Sequence, residues 1–323
     1  MHPTIEVIIP TLCDTKRGPL LQRAIESVVS QDGVKAVPIV IVNGSRFDPA
    51  WIERLKQRSD IRLIQIPEPS LFAARRRAFE SLHADFFATL DDDDIFLPGA
   101  LRRRLEPLQN DPRCDWVVTN GLFVTPDGER PYIPDIEATR RDPFGTLLDH
   151  CWLCSAGNLF RRSAVTADFF DATRSMDITY LAFRLLAEGK KVVFLDEPTF
   201  RYFYYPDSTS KQDSYNLPAA EAIRTMMDLP VPAWVRRGLA GKYRRAMHDV
   251  ASYHCCRGEM GRAWQAHLRS LTGVPEFFRF LFFTRLLLAG SLRSVTGAGR
   301  TAVPADRLHS SAGTHPFPGP ETR

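Results

Sequence analysis

A short apolar run at residues 86–90 ends in four consecutive aspartates, Asp91 to Asp94, and this junction constrains the fold more than any other stretch. The run has the length and composition of a buried β-strand, and a Pro98-Gly99 pair then opens a helical pattern. Carboxylates crowded at the end of a buried strand repel one another, which destabilises the chain unless a cation lies among them. In open α/β sheets, ligands bind outside the carboxyl ends of the strands. The junction therefore predicts a ligand site that uses a cation.

Two interpretations of these aspartates are open on local grounds. Oxygen-only ligands suit a hard cation, Mg²⁺ or Mn²⁺, and such ions commonly bind the phosphates of a nucleotide. Alternatively, the aspartates form a solvated turn that caps the following helix, because aspartate is favoured at that position. The rest of the chain has to be considered before one of them is preferred.

The first third of the chain alternates between apolar runs and helical patterns. Strand-like runs lie at residues 5–9, 38–42, 61–66 and 86–90, and helical patterns lie between them at 20–29, 49–58 and from 72 onward. Near-continuous apolar strands that alternate with helices predict a mostly parallel sheet covered on both faces. Neither a G-x-G-x-x-G nor a G-x-x-x-x-G-K-[ST] motif occurs, so dinucleotide-fingerprint and P-loop chemistry have no support.

The pattern changes beyond Asn110. Short strand-like runs are predicted at 116–119, 122–125, 156–160 and 191–195, with a helix over 176–188 and a loop over 201–215. From Pro218 onward the chain is helical and basic, and the tail after Gly297 is rich in Gly, Pro, Ser and Thr. The predicted organisation is a domain over 1–215, a helical basic extension over 216–297 and a disordered tail over 298–323.

Bulk composition restricts the class of protein. The net charge of +4 is too weakly basic to indicate a nucleic-acid partner. The N-terminus has no basic segment followed by a long apolar one, so we expect a cytoplasmic protein. The six cysteines include a single C-x-x-C, Cys151 and Cys154, and a distant His254-Cys255-Cys256. Buried thiols explain this pattern more simply than a shared zinc site does.

Six short stretches occur in a characteristic order along the chain: V-I-I-P-T at 7–11, A-I-E-S-V-V-S-Q at 24–31, I-V-N-G-S at 41–45, A-A-R-R-R at 73–77, L-D-D-D-D at 90–94 and G-N-L-F-R-R at 157–162. In this order the chain resembles the family 2 glycosyltransferases over residues 4–215. The resemblance implies an α/β GT-A fold, with a mostly parallel central sheet flanked by helices and a helical C-terminal extension. It also implies inverting transfer of a sugar from a nucleotide-sugar donor to an acceptor hydroxyl, with Mg²⁺ or Mn²⁺ as cofactor.

The resemblance assigns the donor site residue by residue. Pro10 and Thr11 match the strand-end contact to the nucleotide. Asn43 stands where the family usually has an aspartate that hydrogen-bonds the base, so base selectivity is expected to differ. Arg75 matches the arginine that approaches the nucleotide, whereas the neighbouring arginines point elsewhere on a helix and are expected at the surface.

The same resemblance assigns the metal and the base. Asp91 and Asp93 match the D-x-D pair, with Asp91 near the ribose and the metal and Asp93 on the metal, and Asp92 is counted among the donor-binding residues. Asp177, at the start of a predicted helix, matches the catalytic base, and Met176 replaces the glutamate that usually precedes it. On local sequence alone, Asp177 is equally a helix cap.

Residues 277–290 are the most apolar stretch, interrupted by Arg279 and Arg285 and shorter than a bilayer-spanning helix. Two hypotheses fit it equally: an interfacial helix on the anionic inner face of the membrane, or a helix docked on the protein with its arginines snorkelling. The first suits a peripheral enzyme that acts on a glycan or lipid-linked acceptor in cell-surface polysaccharide or glycolipid assembly.

Two other functions compete with a glycosyltransferase. A catalytically degenerate relative that serves as a partner in a glycan-assembly complex is favoured by Asn43 and Met176 but not by the retained aspartates. A sugar-nucleotide pyrophosphorylase should carry a Gly-rich loop after the first strand. That loop has a single glycine, Gly18, which makes the pyrophosphorylase the weakest of the three.

Overall fold

The computed structural model describes residues 2–170, 173, 175–205, 217–272, 280–281, 283–289 and 291–292. The chain forms two compact units. The first comprises Met1–Leu147, Cys151–Thr173 and Asp177–Pro206, and the second comprises Leu148–His150, Arg174–Met176 and Asp207–Arg323. The predicted tail over 298–323 lies outside the described residues.

The first unit is built on one sheet, which has nine strands in the described residues. Their bounds are β1 Thr4–Thr11, β2 Lys35–Asn43, β3 Arg62–Ile66, β4 Phe86–Thr89, β5 Ile95–Phe96, β6 Trp116–Thr125, β7 Gly128–Pro131, β8 Asn158–Arg161 and β9 Val192–Phe203. They lie in the order β3-β2-β1-β4-β8-β6-β9-β5, with β7 beside β6. The first four strands are mutually parallel and β8 is antiparallel to β4, so the predicted parallel sheet is confirmed for the N-terminal half.

Helices connect these strands. They are α1 Arg17–Val29, α2 Pro49–Lys56, α3 Leu71–Glu80, α4 Ala100–Asn110, α5 Ile136–Arg141, α6 Pro143–Asp149 and α7 Asp177–Ala187. Side-chain caps define some of the starts: the Asp48 carboxylate accepts from the Ala50 amide before α2, and the Ser70 hydroxyl accepts from the Ala73 amide before α3. The predicted helices therefore form where local capping and apolar spacing agree.

The register of the parallel strands creates the site. Ile8 of β1 lies opposite Ile39 of β2 and Thr89 of β4. Both faces of these strands are buried, as their continuous apolar composition predicts. Because parallel strands end at the same edge of a sheet, Thr11, Asn43 and the aspartates after β4 come together there.

Two sequence expectations in the second half of this unit are wrong. The two short strands at 116–119 and 122–125 are one strand, β6, which continues through Gly121. A side chain at Gly121 would meet the Phe200 ring at 2.4 Å, so the close approach of β9 requires glycine there. The predicted loop from 201 is also wrong at its start, because pairing with β6 extends β9 to Phe203.

In its described residues the second unit is helical, as predicted for this region. Its helices include α8 Ala219–Met227, α9 Ala233–Cys256 and α10 Met260–Ser270. His267 of α10 is buried and its Nε2 lies 2.8 Å from the Thr284 hydroxyl. Burial lowers the pKa of His267. Among the described residues, no helix combines the length and apolar character needed to cross a membrane.

Candidate active site

The acidic junction is a tight turn between β4 and β5. The Leu90 amide still donates to the Ile8 carbonyl of β1, and the Asp94 amide then donates to the Asp91 carbonyl at 3.2 Å. The turn brings the four carboxylates into four different environments, which a run of identical residues does not reveal. The expected repulsion is relieved by arginine partners and by the raised pKa values of the buried carboxyl groups, which favour their neutral form.

Asp91 and Asp93 are the more accessible members of the run, with side chains 35% and 18% exposed. Asp92 and Asp94 are buried. The Thr11 hydroxyl donates to Asp92 at 2.5 Å, and the Phe203 amide of β9 donates to Asp94 at 3.1 Å. The run therefore alternates between side chains that face the solvent and side chains that hold the surrounding strands.

Arg17, the first residue of α1, neutralises the middle of the run. Its Nη1 lies 2.9 Å from Asp92 Oδ1 and 2.6 Å from Asp93 Oδ2. Burial lowers the pKa of Arg17, but Asp92 and Asp93 outweigh this and raise it. Arg17 is not predicted from the sequence, since no local pattern links it to Asp92, 75 residues away.

A second arginine of α1, Arg23, binds the backbone of the turn. Arg23 Nη2 donates to the Asp93 carbonyl at 2.7 Å, and its guanidinium lies over the Phe203 ring at 4.1 Å. Arg17 and Arg23 therefore hold the side chain and the backbone of Asp93 from the same helix.

Burial raises the pKa of three of the aspartates, Asp91, Asp92 and Asp94, and Arg75 opposes the shift at Asp91. Burial raises the pKa of Asp92 to about 7, although Arg17 opposes the shift. Burial, with the charges of Asp93 and Asp91, raises the pKa of Asp94 well above its usual range. Among the described residues, Asp94 Oδ2 has no hydrogen-bond partner. The junction thus carries less negative charge than four ionised carboxylates would.

Arg75 connects the junction to the predicted catalytic base. It lies on α3 with its side chain buried, and it forms an ion pair with Asp177 and another with Asp91 Oδ1 at 2.9 Å. Its Nη2 also donates to the Ser155 hydroxyl at 3.0 Å. The neighbouring arginines Arg76 and Arg77 pair with Glu80 at the surface, as expected.

Asp177 is the first residue of α7 and is buried. The residue before it, Met176, has a φ of 58°, a left-handed conformation that is uncommon for a side chain of this size. Backbone strain of this kind concentrates at functional sites. The conformation turns the chain into α7 so that Asp177 meets Arg75.

The side chain of Asn43 is hydrogen-bonded to the backbone of Thr11. The side-chain nitrogen Nδ2 of Asn43 donates to the Thr11 carbonyl at 3.0 Å, and Asn43, Thr11 and Pro10 are all buried. Asn43 thus positions the residue whose hydroxyl holds Asp92. An aspartate could not donate this hydrogen bond.

A buried polar network supports Ser155. The Asn158 side chain accepts from the Thr89 amide at 3.0 Å and donates to the Ser155 carbonyl at 2.8 Å. Arg104, fully buried, donates to the Ala156 carbonyl at 2.7 Å, and burial lowers its pKa to about 9. The burial of Arg104 is not predicted from the sequence, because an arginine in an amphipathic helix is ordinarily exposed.

The residues of the junction fit a divalent ion that is shared with a substrate. Within the described parts of the chain, no group of three or more His, Cys, Asp or Glu side chains could hold a metal by itself. Mg²⁺, however, is commonly bound by one or two carboxylates together with substrate phosphates. Asp91 and Asp93 are the accessible carboxylates here, whereas Asp92 and Asp94 are turned into the protein.

Comparison with solved structures supports the fold. The structure is similar to that of S. aureus TarS 1-349 in complex with UDP, with a TM-score of 0.53, 13% identity, and coverage of 80% of this chain and 74% of that chain. The complex of TarS 1-349 with UDP-GlcNAc gives a TM-score of 0.55 and 11% identity, covering 83% of this chain and 79% of that chain. The expected α/β GT-A fold of glycosyltransferases is confirmed.

The family follows from the sequence. Residues 6–166 match the family described as Glycosyl transferase family 2, and the chain belongs to that family. A search of curated proteins gives no match. The expectation of a glycosyltransferase is confirmed at this level.

Proposed function

We propose that the protein is an inverting glycosyltransferase that transfers a sugar from a nucleotide diphosphate sugar to an acceptor hydroxyl. The observation that carries the proposal is the buried Arg75 side chain, which joins Asp91 of the acidic junction to Asp177. A donor held at one carboxylate and a base at the other would be kept in fixed relation by one rigid guanidinium. The neighbours in complex with UDP and UDP-GlcNAc support a nucleotide-sugar as donor.

In this proposal the donor lies at the edge of the sheet where β1, β2 and β4 end. Pro10, Thr11 and Asn43 line the nucleoside side, and Asp92 holds the Thr11 hydroxyl in place. Asp91 and Asp93 would hold Mg²⁺ or Mn²⁺, which neutralises the charge that grows on the diphosphate as the sugar–phosphate bond breaks.

Asp177 is the proposed base. Its carboxylate accepts the proton of the acceptor hydroxyl while that oxygen bonds to the anomeric carbon. The bond from the anomeric carbon to the diphosphate breaks on the opposite face, and the electron pair leaves with the nucleoside diphosphate. This single displacement inverts the configuration of the sugar. Arg75 orients the Asp177 carboxylate throughout.

The proposed acceptor is a glycan or a lipid-linked sugar in cell-surface polysaccharide or glycolipid assembly, and the proposed location is cytoplasmic at the inner face of the membrane. The observation behind this location is an exposed row of leucines, Leu281, Leu288 and Leu292, spaced to lie along one side of a helix. The opposite side buries Phe283 and Leu287. The two hypotheses made from the sequence of this segment are therefore compatible. The face with Phe283 and Leu287 packs against the protein, and the face with the leucines is the proposed lipid contact.

The charge pattern of the sequence supports an anionic lipid surface as the partner of this row of leucines. Residues 277–305 contain no aspartate or glutamate but include Arg279, Arg285, Arg293 and Arg300. Arginines beside exposed leucines match the phosphates and acyl chains of an anionic headgroup layer. The proposed domain division places the glycosyltransferase domain over 1–215 and the basic helical extension over 216–297.

The test uses donor binding and transfer together. The wild-type protein should bind a nucleotide-sugar in calorimetry across a donor panel with Mn²⁺. Asp177→Asn should bind that donor with unchanged affinity but lose transfer by about a thousandfold or more. Asp168→Asn, a change at an exposed aspartate, is the matched control and should retain transfer. Absence of donor binding in the wild type would favour the degenerate partner protein instead.

A further inference from the structure

We propose that Arg17 is a built-in counter-ion of the acidic junction, which a divalent ion has to displace from Asp93 and which then turns to the donor diphosphate. The inference rests on the proposed assignment of Asp93 as a metal ligand. Arg17 would thereby make metal binding weak in the donor-free protein and strong once the donor is present.

The geometry places one guanidinium nitrogen where a cation is needed. Arg17 Nη1 lies within 2.9 Å of Asp92 Oδ1 and 2.6 Å of Asp93 Oδ2. Charge-assisted hydrogen bonds of this length are the stronger kind in proteins. A divalent ion on Asp93 would compete for the same oxygen, because two cations cannot share it at close range.

Arg17 is more easily displaced than Arg75. The Arg17 side chain is 27% exposed, whereas that of Arg75 is 2% exposed. In the described part of the chain, the polar contacts of the Arg17 side chain are with Asp92 and Asp93 of a single turn. Its backbone is held instead by the Asp14 carboxylate, which accepts from the Arg17 amide at 2.9 Å. The side chain can therefore move while its origin stays fixed.

A coupling between metal and donor follows. A diphosphate beside the junction offers Arg17 new anionic partners and so releases Asp93 for the ion. Because coupling is reciprocal, the ion must raise the affinity for a nucleoside diphosphate by the same factor by which the nucleoside diphosphate raises the affinity for the ion. Arg17 is thus a positioning residue that couples the binding of the ion to the binding of the diphosphate.

The test measures Mn²⁺ binding by electron paramagnetic resonance on the full chain, without and with UDP. Arg17→Gln is expected to bind Mn²⁺ about tenfold more tightly than wild type without UDP, and to show a smaller enhancement when UDP is added. Arg17→Lys should give a smaller increase in Mn²⁺ affinity, about threefold, because lysine keeps the positive charge but lacks the planar guanidinium group. Thermal melts check folding, and the lysine variant carries the test if the glutamine variant does not fold.

The matched control is Arg58→Gln. Arg58 is 23% exposed and pairs with Glu26 and Asp60, away from the junction, so its loss should leave Mn²⁺ binding unchanged. Mn²⁺ affinity that is equal or weaker in the Arg17 variants overturns the inference. A separate Asp93→Asn variant tests the metal ligand itself. If this variant binds Mn²⁺ like wild type, Asp93 is not a metal ligand, and the metal part of the proposed function is wrong.

Discussion

Arg75 and Asp177 form a buried ion pair between residues 102 positions apart in the chain. The other guanidinium nitrogen of Arg75 reaches Asp91 at 2.9 Å. Arg75 is therefore shared by Asp177, the proposed base, and Asp91 of the acidic junction. The distance between the Asp91 and Asp177 carboxylates depends on the position of α3, because Arg75 lies on that helix. The packing of α3 therefore affects both the stability and the geometry of the site.

Replacement of Arg75 by alanine should destabilise the protein strongly. The change leaves the buried Asp177 carboxylate without its cation, which costs about 3–5 kcal/mol in comparable cases. Urea unfolding measures the loss of free energy. Arg76→Ala, which removes an exposed pair with Glu80 on the same helix, should change it by less than about 1 kcal/mol. Equal stability of the two variants would show that the Arg75 pair contributes little.

Asp93→Ala should abolish Mn²⁺-dependent donor binding, because it removes a charged ligand that the buried Asp92 and Asp94 cannot replace in position. Asp91→Ala should have a milder effect, of about tenfold in affinity. Calorimetry with and without Mn²⁺ measures both. If donor binding and its metal dependence survive in Asp93→Ala, the acidic junction is a structural turn and the central assignment is wrong.

Asn43→Asp should alter the ranking of uridine, thymidine and guanosine nucleotides in competition binding. The structure adds a second effect: a carboxylate cannot donate to the Thr11 carbonyl, so the variant should lose about 1–3 kcal/mol of stability. Asn110→Asp, at the exposed end of α4, is the control for added charge. An unchanged ranking would place Asn43 outside the nucleotide site.

The raised pKa of Asp92 predicts a dependence of stability on pH. Burial raises this pKa from 3.8 to about 7, so between these values the folded state binds the proton more tightly than the unfolded state does. The stabilising contribution is complete below pH 3.8 and is lost as the pH rises towards 7. Asp92→Asn should flatten the decline in urea midpoints over this window, whereas Asp127→Asn in an exposed turn should not. A midpoint that declines identically in both variants contradicts the assignment.

The exposed leucines predict membrane binding. Wild-type protein should sediment with liposomes that contain anionic lipid, and salt should weaken the binding because surface charge pairing is screened. Replacing Leu281, Leu288 and Leu292 together by alanine should release the protein without lowering its melting temperature, since these side chains are exposed. Trp234→Ala, at an exposed apolar residue of α9, is the control. Binding that persists in the triple variant would assign it to another surface.

Local sequence determined much of this protein. Continuous apolar runs predicted β1, β2 and β4, because strands buried on both faces have no polar side to display. The assignments of the aspartates after β4 and of Arg75 to a donor site stay predictions, since they came from the family resemblance as well as from local sequence. The strand predictions succeeded because short-range apolar periodicity carries that information.

Tertiary structure decided the rest. Arg17 meets Asp93 across 76 residues, and Asp94 meets the Phe203 amide across 109. No local pattern encodes either contact, since each depends on where the sheet brings distant segments together. The same packing decides the exposure of the four carboxylates: Asp92 and Asp94 are buried, whereas Asp91 and Asp93 stay accessible, although all four are the same residue type. The sequence thus determined which residues are chemically equipped for the site, and the fold determined which of them face solvent, which are paired, and which hold the strands in place.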